Sequence, residues 1–580
     1  MVFATFALAG MTVVLVTSTD QLLELDFLNP TLLSLYVLFF LSTCLVSFLS
    51  GLYLYILTSR LIVDYQKPNL AIMVGVGGFS ENISSRLIAQ GLLVGLLSNT
   101  TGIIGGLLFV VVIVFALNLT GSFLQLNLSL DWLLFFFLGI WLLLTLTAYI
   151  VMSVVVQKAL AKPFEDIVAE EVDPAHEVSF VTKLVVWGRD NLGTKLARIN
   201  VQRASHLFFN NLVAFALLSF FLFSLVVGSM VVRDTTTVSL EGVFGEGTYA
   251  VVKEGFSGLV EDGFRLFPKK DPPSNLTKSY FSITALQQVL ESQGLSDVAV
   301  DDRVGSVERV QARDGYYASR YDYLYVFGID PDNLISTWRY NYDEPHSLAM
   351  NEVNIGEWVE RNMMRNATYT ELLVPSRPSK IFGIRSVLQD PSFRAKTVYM
   401  NQDVYIDLFD MNPDLRNLCF IPLPPSTLIE SLSDALGDVG LILIPLDPIL
   451  DSNKADLRVL EGVTMSLTIP TVFGVLVTVA NFTGHVLNHR REQLAILKAV
   501  GGQQRLLTDV VNREVLTSLG WGSLMGMLVA CWFVTGYLVR SGVLSATTII
   551  CAGVLFAVLL WVGRMTTAWL VGRYYGRYLF

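Results

Sequence analysis

The sequence predicts an α-helical polytopic membrane protein with about eight transmembrane helices in two four-helix units and one inserted extracellular α+β domain. Of its 580 residues, 53% are hydrophobic and 16% are charged, whereas a soluble domain carries roughly 25% charged residues. The charged residues are concentrated in one block of the chain, and a short motif occurs twice. Together these observations exclude a soluble multidomain protein and a disordered chain.

Seven apolar stretches contain no Asp, Glu, Lys or Arg, and each is long enough to cross a bilayer as a helix. They are Leu32–Thr58, Leu87–Leu117, Trp132–Val156, Leu207–Val232, Val463–Gly484, Val515–Val539 and Val543–Gly563. An eighth stretch, Val2–Thr17, is short, and we predict that it is a retained first span. The alternative is a cleaved signal peptide, although such a peptide normally starts with basic residues.

The distribution of charge predicts which parts of the chain lie on each side of the membrane. Residues 231–460 hold 33 acidic and 21 basic residues, which leaves 17 acidic and 19 basic residues elsewhere. This block is predicted to be extracellular. Its aspartates Asp301, Asp302, Asp403, Asp407 and Asp410 are predicted to lie on an acidic solvated surface, with a cation site as the alternative. By the positive-inside rule, both termini and the basic segments are predicted to be cytoplasmic, namely 59–86, 157–206, 485–514 and 564–580. The formal net charge of -10 argues against nucleic-acid binding.

Four segments of the extracellular block have patterns typical of secondary structure. Ile283–Gln293 and Val353–Met364 are predicted helices. The aromatic run Tyr321–Asp330 is a predicted strand, and Leu441–Ile444 is a predicted buried strand. Cys419 is the only cysteine in the block, so no disulfide is predicted within it.

A nine-residue motif occurs at residues 70–78 (LAIMVGVGG) and again at residues 494–502 (LAILKAVGG), with six identical positions. Each copy lies between two predicted spans, which favours a short amphipathic helix ended by Gly-Gly. At the same offset Gln90 matches Glu514, and Gly102 matches Gly526. The repeat predicts five regions: a first four-helix unit without a large outer domain (1–157), a cytoplasmic linker with an amphipathic helix (158–206), a fifth transmembrane helix (207–232), the extracellular α+β domain (233–460) and transmembrane helices six to eight (461–580).

The linker ends in a basic amphipathic segment, Val185–Arg203. Leu192, Leu196 and Ile199 are spaced to share one face, which predicts that this face is buried. Such a helix lies either in the inner membrane interface or in the cytoplasm.

The run His489–Gly502 (HRREQLAILKAVGG) strongly resembles the RRxELAxLRAxGA signature of FtsX-like permeases, the membrane subunits of MacB-type and LolC/LolE-type ABC systems. Lys195–Arg203 is also similar to a stretch that the family carries before the first span of a unit. The first copy of the motif departs from the signature, because Pro68 and Asn69 replace its Glu-Gln pair.

The resemblance implies that the helix after the second span of a unit docks on a separate cytoplasmic ABC ATPase. ATP-driven closure of the ATPase would then move the spans and the outer domain, an action called mechanotransmission, to export or extract a lipid, lipoprotein or peptide-like cargo. The residues predicted for ATPase coupling are Arg490, Arg491, Glu492, Leu494, Ala495, Leu497, Lys498, Gly501, Gly502 and Glu514. The corresponding residues of the degenerate copy are Leu70, Ala71, Ile72, Val76, Gly77 and Gly78, and the resemblance leaves open whether this copy contacts the ATPase.

The implied partners are the ATPase, membrane lipids and an extracellular protein or lipoprotein. No cofactor is expected to bind directly, and ATP would act through the ATPase. Glu514 is expected to pair with Arg513 or with a base of the linker. Two alternatives stay open: a non-transporting regulator of an extracellular enzyme such as a cell-wall hydrolase, and a receptor or scaffold that keeps only the fold.

The chain carries no recognisable catalytic motif of its own. Residues 188–195 depart from a phosphate-binding loop, because Thr194 precedes Lys195 and no strand comes before them. His485 and His489 are four residues apart, but no Glu completes a metalloprotease pattern, so we predict the end of a span there and no metal site.

Overall fold

The computed structural model describes residues 5–16, 30–77, 79–119, 130–160, 185–186, 192–203, 205–244, 247–266, 275–276, 278–314, 319–330, 348–364, 370–374, 380–388, 392–423, 429–538 and 546–578. The chain divides into two compact units. Unit 1 comprises Met1–Gln21, Leu38–Val232 and Leu460–Phe580, and unit 2 comprises Leu22–Val37 and Arg233–Val459.

The helices are α1 (Pro30–Gly75), α2 (Ser80–Leu119), α3 (Leu130–Leu160), α4 (Leu192–Arg203), α5 (Ser205–Phe244), α6 (Gly258–Glu261), α7 (Ile283–Ser292), α8 (Glu357–Met363), α9 (Gln402–Phe409), α10 (Ile429–Asp438), α11 (Asp447–His489), α12 (Arg491–Ala499), α13 (Gln504–Leu538) and α14 (Ala546–Tyr578). The strands are β1 (Thr248–Lys253), β2 (Phe281–Ser282), β3 (Asp301–Asp314), β4 (Ser319–Ile329), β5 (Glu352–Gly356), β6 (Thr370–Leu373), β7 (Ile381–Leu388), β8 (Thr397–Asn401), β9 (Leu415–Arg416), β10 (Leu418–Pro422) and β11 (Leu441–Pro445).

Seven helices of the described chain are long and apolar enough to cross a membrane, which makes the protein a polytopic membrane protein with an added α+β part. The candidate spans are Leu35–Arg60, Glu81–Ala116, Phe135–Val154, Phe208–Thr237, Asp447–Asn488, Gln504–Thr535 and Ala546–Tyr574. The predicted eighth span contains a described helical segment at 5–16, with a π-helical turn at Ala7–Met11. The total of eight spans stays a prediction.

Close backbone approach joins α5 to α13 in unit 1. A Cβ atom on Gly526 would lie 2.5 Å from the carbonyl oxygen of Ala216 and 2.6 Å from the amide nitrogen of Phe220. Nearby, the hydroxyl oxygens of Ser219 and Ser523 are 2.9 Å apart. Small residues let membrane helices approach and exchange hydrogen bonds in this way.

The first half of unit 1 (segment 5–16, α1, α2 and α3) repeats this arrangement of the second half (α5, α11, α13 and α14). A Cβ on Gly10 would lie 2.9 Å from the Cα of Gly106 in α2. The Thr5 hydroxyl approaches the side-chain oxygen of Asn99 at 3.2 Å. Asn99 is the repeat equivalent of Ser523, so the repeat extends from sequence to helix packing.

The directions of the helices place both motif copies at the same end of unit 1. Tyr53 of α1 donates to the carbonyl of Asn210 at the start of α5, whereas Phe39 lies against Gly228 much later in α5, so these helices are antiparallel. Gly522 meets Phe215, and Gly526 meets Phe220, so α5 and α13 are parallel. The end of α1 and the start of α13 therefore lie at one end.

Unit 2 is built on a nine-stranded mixed sheet in the order β11-β1-β10-β3-β4-β8-β5-β7-β6, in which β6 also pairs with β3. Strands β3, β4, β8, β5, β7 and β6 thus form a closed ring around an apolar core that includes Val326, Ile355 and Met400. A second core lies between strands β1, β10 and β11 and helices α7 and α10, with Leu286, Cys419 and Leu436 at its centre. Burial raises the pKa of the Cys419 thiol well above its ordinary value.

Two predicted elements of unit 2 are corrected by the structure. The segment Val353–Met364, predicted as one helix, forms strand β5 followed by helix α8, because Val353 and Ile355 enter the closed ring. Leu441–Ile444 does form a strand, but β11 is the edge of the sheet, and only Leu441 in it is fully buried.

The acidic pair Asp301 and Asp302 is not on a solvated surface. Asp301 Oδ2 accepts a hydrogen bond from Arg303 at 2.6 Å, and both side chains are buried. Asp302 pairs with Arg416, while the Arg303 guanidinium lies 4.5 Å from the centre of the Phe420 ring. Buried charges need such partners, and these pairs lie where β3 and β10 join the two cores.

The glycine contact between α5 and α13 gives a direct test of unit 1. Replacing Gly526 by Ala forces backbone atoms apart and should lower the free energy of unfolding by about 1–3 kcal/mol. Thermal and denaturant unfolding in detergent measure the loss. Gly520→Ala is the matched control, since a Cβ there would meet only Leu560 at 3.7 Å. Equal stability of the two variants would contradict a close backbone contact between α5 and α13.

Candidate functional site

The second motif copy forms a sharp corner between α11 and α13. Two backbone hydrogen bonds end helix α12. The amide of Gly501 donates to the carbonyl of Lys498 at 2.9 Å, and the amide of Gly502 donates to the carbonyl of Leu497 at 2.8 Å. Gly501 has a φ of +95°, which residues with a side chain rarely adopt. This pattern is the Schellman ending of a helix, and it turns the chain directly into α13.

A buried ion pair holds this corner in place. Arg490, at the break between α11 and α12, donates to Glu514 Oε1 of α13 at 2.6 Å and to the carbonyl of Asn200 in α4 at 3.0 Å. Arg490 and Glu514 are both buried. Arg513, one of the two partners expected for Glu514, instead pairs with Asp509 one turn earlier in α13 at 3.0 Å, because adjacent residues of a helix point about 100° apart.

The first motif copy lacks this ion pair. Gln66 and Gln90 occupy the positions equivalent to Arg490 and Glu514. Gln90 is exposed on α2, whereas Glu514 is covered by α4. The charges of the pair therefore belong to the half of unit 1 that α4 covers.

Helix α4 packs on α13 through a face that differs from the predicted one. Its buried residues are Gly193, Thr194, Ala197 and Val201, whereas Leu192 of the predicted apolar face is exposed. The Trp521 indole donates to the carbonyl of Val185 at 2.9 Å. Small residues face α13 because the two helices lie close together. The spacing of the large apolar residues in the sequence therefore predicted the wrong buried face.

Both motif copies expose the same two apolar side chains. Ile496 is 63% exposed and its equivalent Ile72 is 65% exposed, while Val500 is 84% exposed and Val76 is 85% exposed. In each copy the amide of the valine bonds to the carbonyl of the isoleucine at 3.0 Å. The next residue is a glycine in each copy, with φ of +88° at Gly77 and +95° at Gly501. We call these two exposed pairs the apolar caps.

The predicted coupling residues divide into an interior group and an accessible group. Arg490, Leu494 and Glu514 are buried, so they hold the corner together. Ala495 and Gly501 are exposed, and Leu497 and Lys498 are half-buried. The side chains of Arg491 and Glu492 lie outside the described residues, as do those of Leu70, Ala71 and Gly78. Ile496 and Val500 were absent from the predicted coupling residues, although their repeat equivalents Ile72 and Val76 were among the residues predicted in the first copy.

The fold and this site define a multi-pass membrane protein whose two halves present equivalent helix corners at one end. Among the described residues, no group of three His, Cys, Asp or Glu side chains is placed to hold a metal ion.

No protein-family model and no curated protein matches the sequence. Among solved structures, the periplasmic region of MacB from Actinobacillus actinomycetemcomitans is similar to part of the chain, with 10% sequence identity and a TM-score of 0.25. The match covers 37% of this chain and 94% of that structure.

The buried ion pair predicts a specific pattern in a double-mutant cycle. Arg490→Gln leaves the Glu514 carboxylate buried without its partner and should cost about 3–5 kcal/mol of unfolding free energy. The double variant with Glu514→Gln reproduces the residue types of the first copy and should recover most of that loss. Unfolding in detergent of both single variants and the double variant measures the coupling. Additive losses would show that the two side chains do not form a pair.

Proposed function

We propose that the protein is the permease subunit of an ABC-type system and that a separate ATPase docks on the two apolar caps. ATP hydrolysis by that subunit would move the spans and, through them, the outer domain. The observation that carries the proposal is the equivalence of Ile72 and Val76 with Ile496 and Val500, in exposure, hydrogen bonding and turn geometry.

Two equivalent docking surfaces on one chain suit a partner with two-fold symmetry. Most soluble oligomers are symmetric, and two identical subunits offer the same surface patch twice. The two caps lie at one end of unit 1, so a single partner dimer can reach both. The resemblance of residues 489–502 to the FtsX-like signature supports an ABC ATPase as this partner.

Each part of the corner has a role under this proposal. The caps supply exposed apolar side chains, and removing their apolar surface from water favours the complex when a partner covers them. The Arg490–Glu514 pair and the hydrogen bond to Asn200 fix the corner against α13 and α4, so that force applied at the cap reaches the spans. The cargo and its direction of movement are left open by these contacts.

The docking proposal predicts the effect of a charge on each cap. Val500→Asp should weaken the complex by roughly 2 kcal/mol, or about 30-fold in affinity. The full chain is purified in detergent from its native membrane, and bound ATPase is identified and quantified by mass spectrometry. Val76→Asp should weaken binding to a similar degree, since its cap is equivalent.

Gln503→Asp is the matched control, because Gln503 is an exposed polar residue in the same turn. It should leave the amount of bound ATPase unchanged. Absence of any ATPase from the wild-type preparation would refute the function, and loss with Val500→Asp alone would restrict docking to the second copy.

A further inference from the structure

A large cavity lies inside unit 1, between α2 of the first half and α11 of the second half. Its volume is about 700 Å³. Gly102, Gly105 and Phe109 line it from α2, and Ile469, Pro470 and Phe473 line it from α11. All of these residues belong to candidate membrane spans, so the cavity is at membrane depth.

The wall of the cavity is almost entirely carbon. It contains two hydroxyl groups, and both already donate within their own helices. Thr101 donates to the carbonyl of Leu97 at 2.5 Å, and Ser466 donates to that of Val463 at 2.6 Å. An ordered water needs two to four polar partners, so this wall gives water little to bind.

The cavity opens sideways among residues that face lipid. Ile469, Phe473 and Val112 line it, and each is more than half exposed at the surface of its helix. In a bilayer the medium against these side chains is hydrocarbon. Ligand pockets of roughly 300–1,000 Å³ bury most of a small ligand, so this cavity is large enough to hold one.

We propose that this cavity binds one acyl chain of a membrane lipid, which enters sideways from the bilayer between α2 and α11. An acyl chain is the only abundant material at that depth that matches a carbon wall without free polar groups. The site is independent of ATPase docking, because none of its lining residues belongs to the apolar caps.

The test uses the full chain in phosphatidylcholine liposomes that contain a small fraction of phosphatidylcholine with a diazirine in its acyl chain. After irradiation, labelled peptides are mapped by mass spectrometry. Label should concentrate in residues 101–113 and 466–477, above its level in the lipid-facing helix Phe135–Val154. A uniform distribution over these helices would overturn the proposal.

Gly105→Leu should fill the cavity, since a Cβ at Gly105 lies at an ordinary contact distance of 3.6 Å from Phe6. Label in the two peptides should then fall to the level found in the lipid-facing helix Phe135–Val154. Gly139→Leu is the control, because a Cβ at this exposed glycine of α3 meets nothing within 4 Å. Unchanged labelling in a folded Gly105→Leu protein would overturn the proposal.

A second pair of variants tests acyl-chain binding in the cavity if Gly105→Leu does not fold. Val112 lines the mouth of the cavity, and its neighbour Val111 does not, although both are exposed to a similar extent. Val112→Trp should lower the label in residues 466–477 several-fold, whereas Val111→Trp should leave it unchanged. Equal labelling of these two variants would refute entry between α2 and α11.

Discussion

Unit 1 depends on a close backbone contact between the first and third helices of each half. In the second half Gly526 brings α13 against the backbone of α5, and in the first half Gly106 meets Gly10. Apolar burial alone does not hold helices together in lipid, so close packing and hydrogen bonds between small residues carry the association. The hydroxyl and amide contacts beside these glycines strengthen both crossings at repeat-equivalent positions.

This packing determines which surface each half presents at its end. Because α5 and α13 are parallel and α1 is antiparallel to α5, both motif copies lie at one end. The second copy is held by the Arg490–Glu514 pair, whereas the first continues directly from α1. Both nevertheless expose the same isoleucine and valine. Removal of a buried partner is far more costly than removal of an exposed contact, so the two kinds of residue should respond differently to mutation.

Unit 2 is held together differently from unit 1. Its strands close into a ring, and its acidic pair Asp301 and Asp302 forms ion pairs. Asp301 and Asp302 lie at the start of β3. This strand pairs with β4 of the closed ring on one side and with β10 of the helix-covered part of the sheet on the other. A charge placed between two apolar cores must find a counter-charge, and Arg303 and Arg416 supply it. The acidity of the block therefore includes one carboxylate that is buried, Asp301, and one that is half-buried, Asp302.

The sequence by itself determined the membrane class, the seven long apolar helices and the repeat of the motif, because each follows from local composition or from identity at a fixed offset. It also located the Gly-Gly helix ending, since φ at Gly501 is a local requirement. Only the tertiary structure decided that Glu514 pairs with Arg490, that α4 buries its small residues and that β5 replaces the start of a predicted helix. Each of these outcomes depends on which distant segment of the chain packs against the residue or helix in question. The spacing of apolar residues along the sequence carries no information about that packing partner.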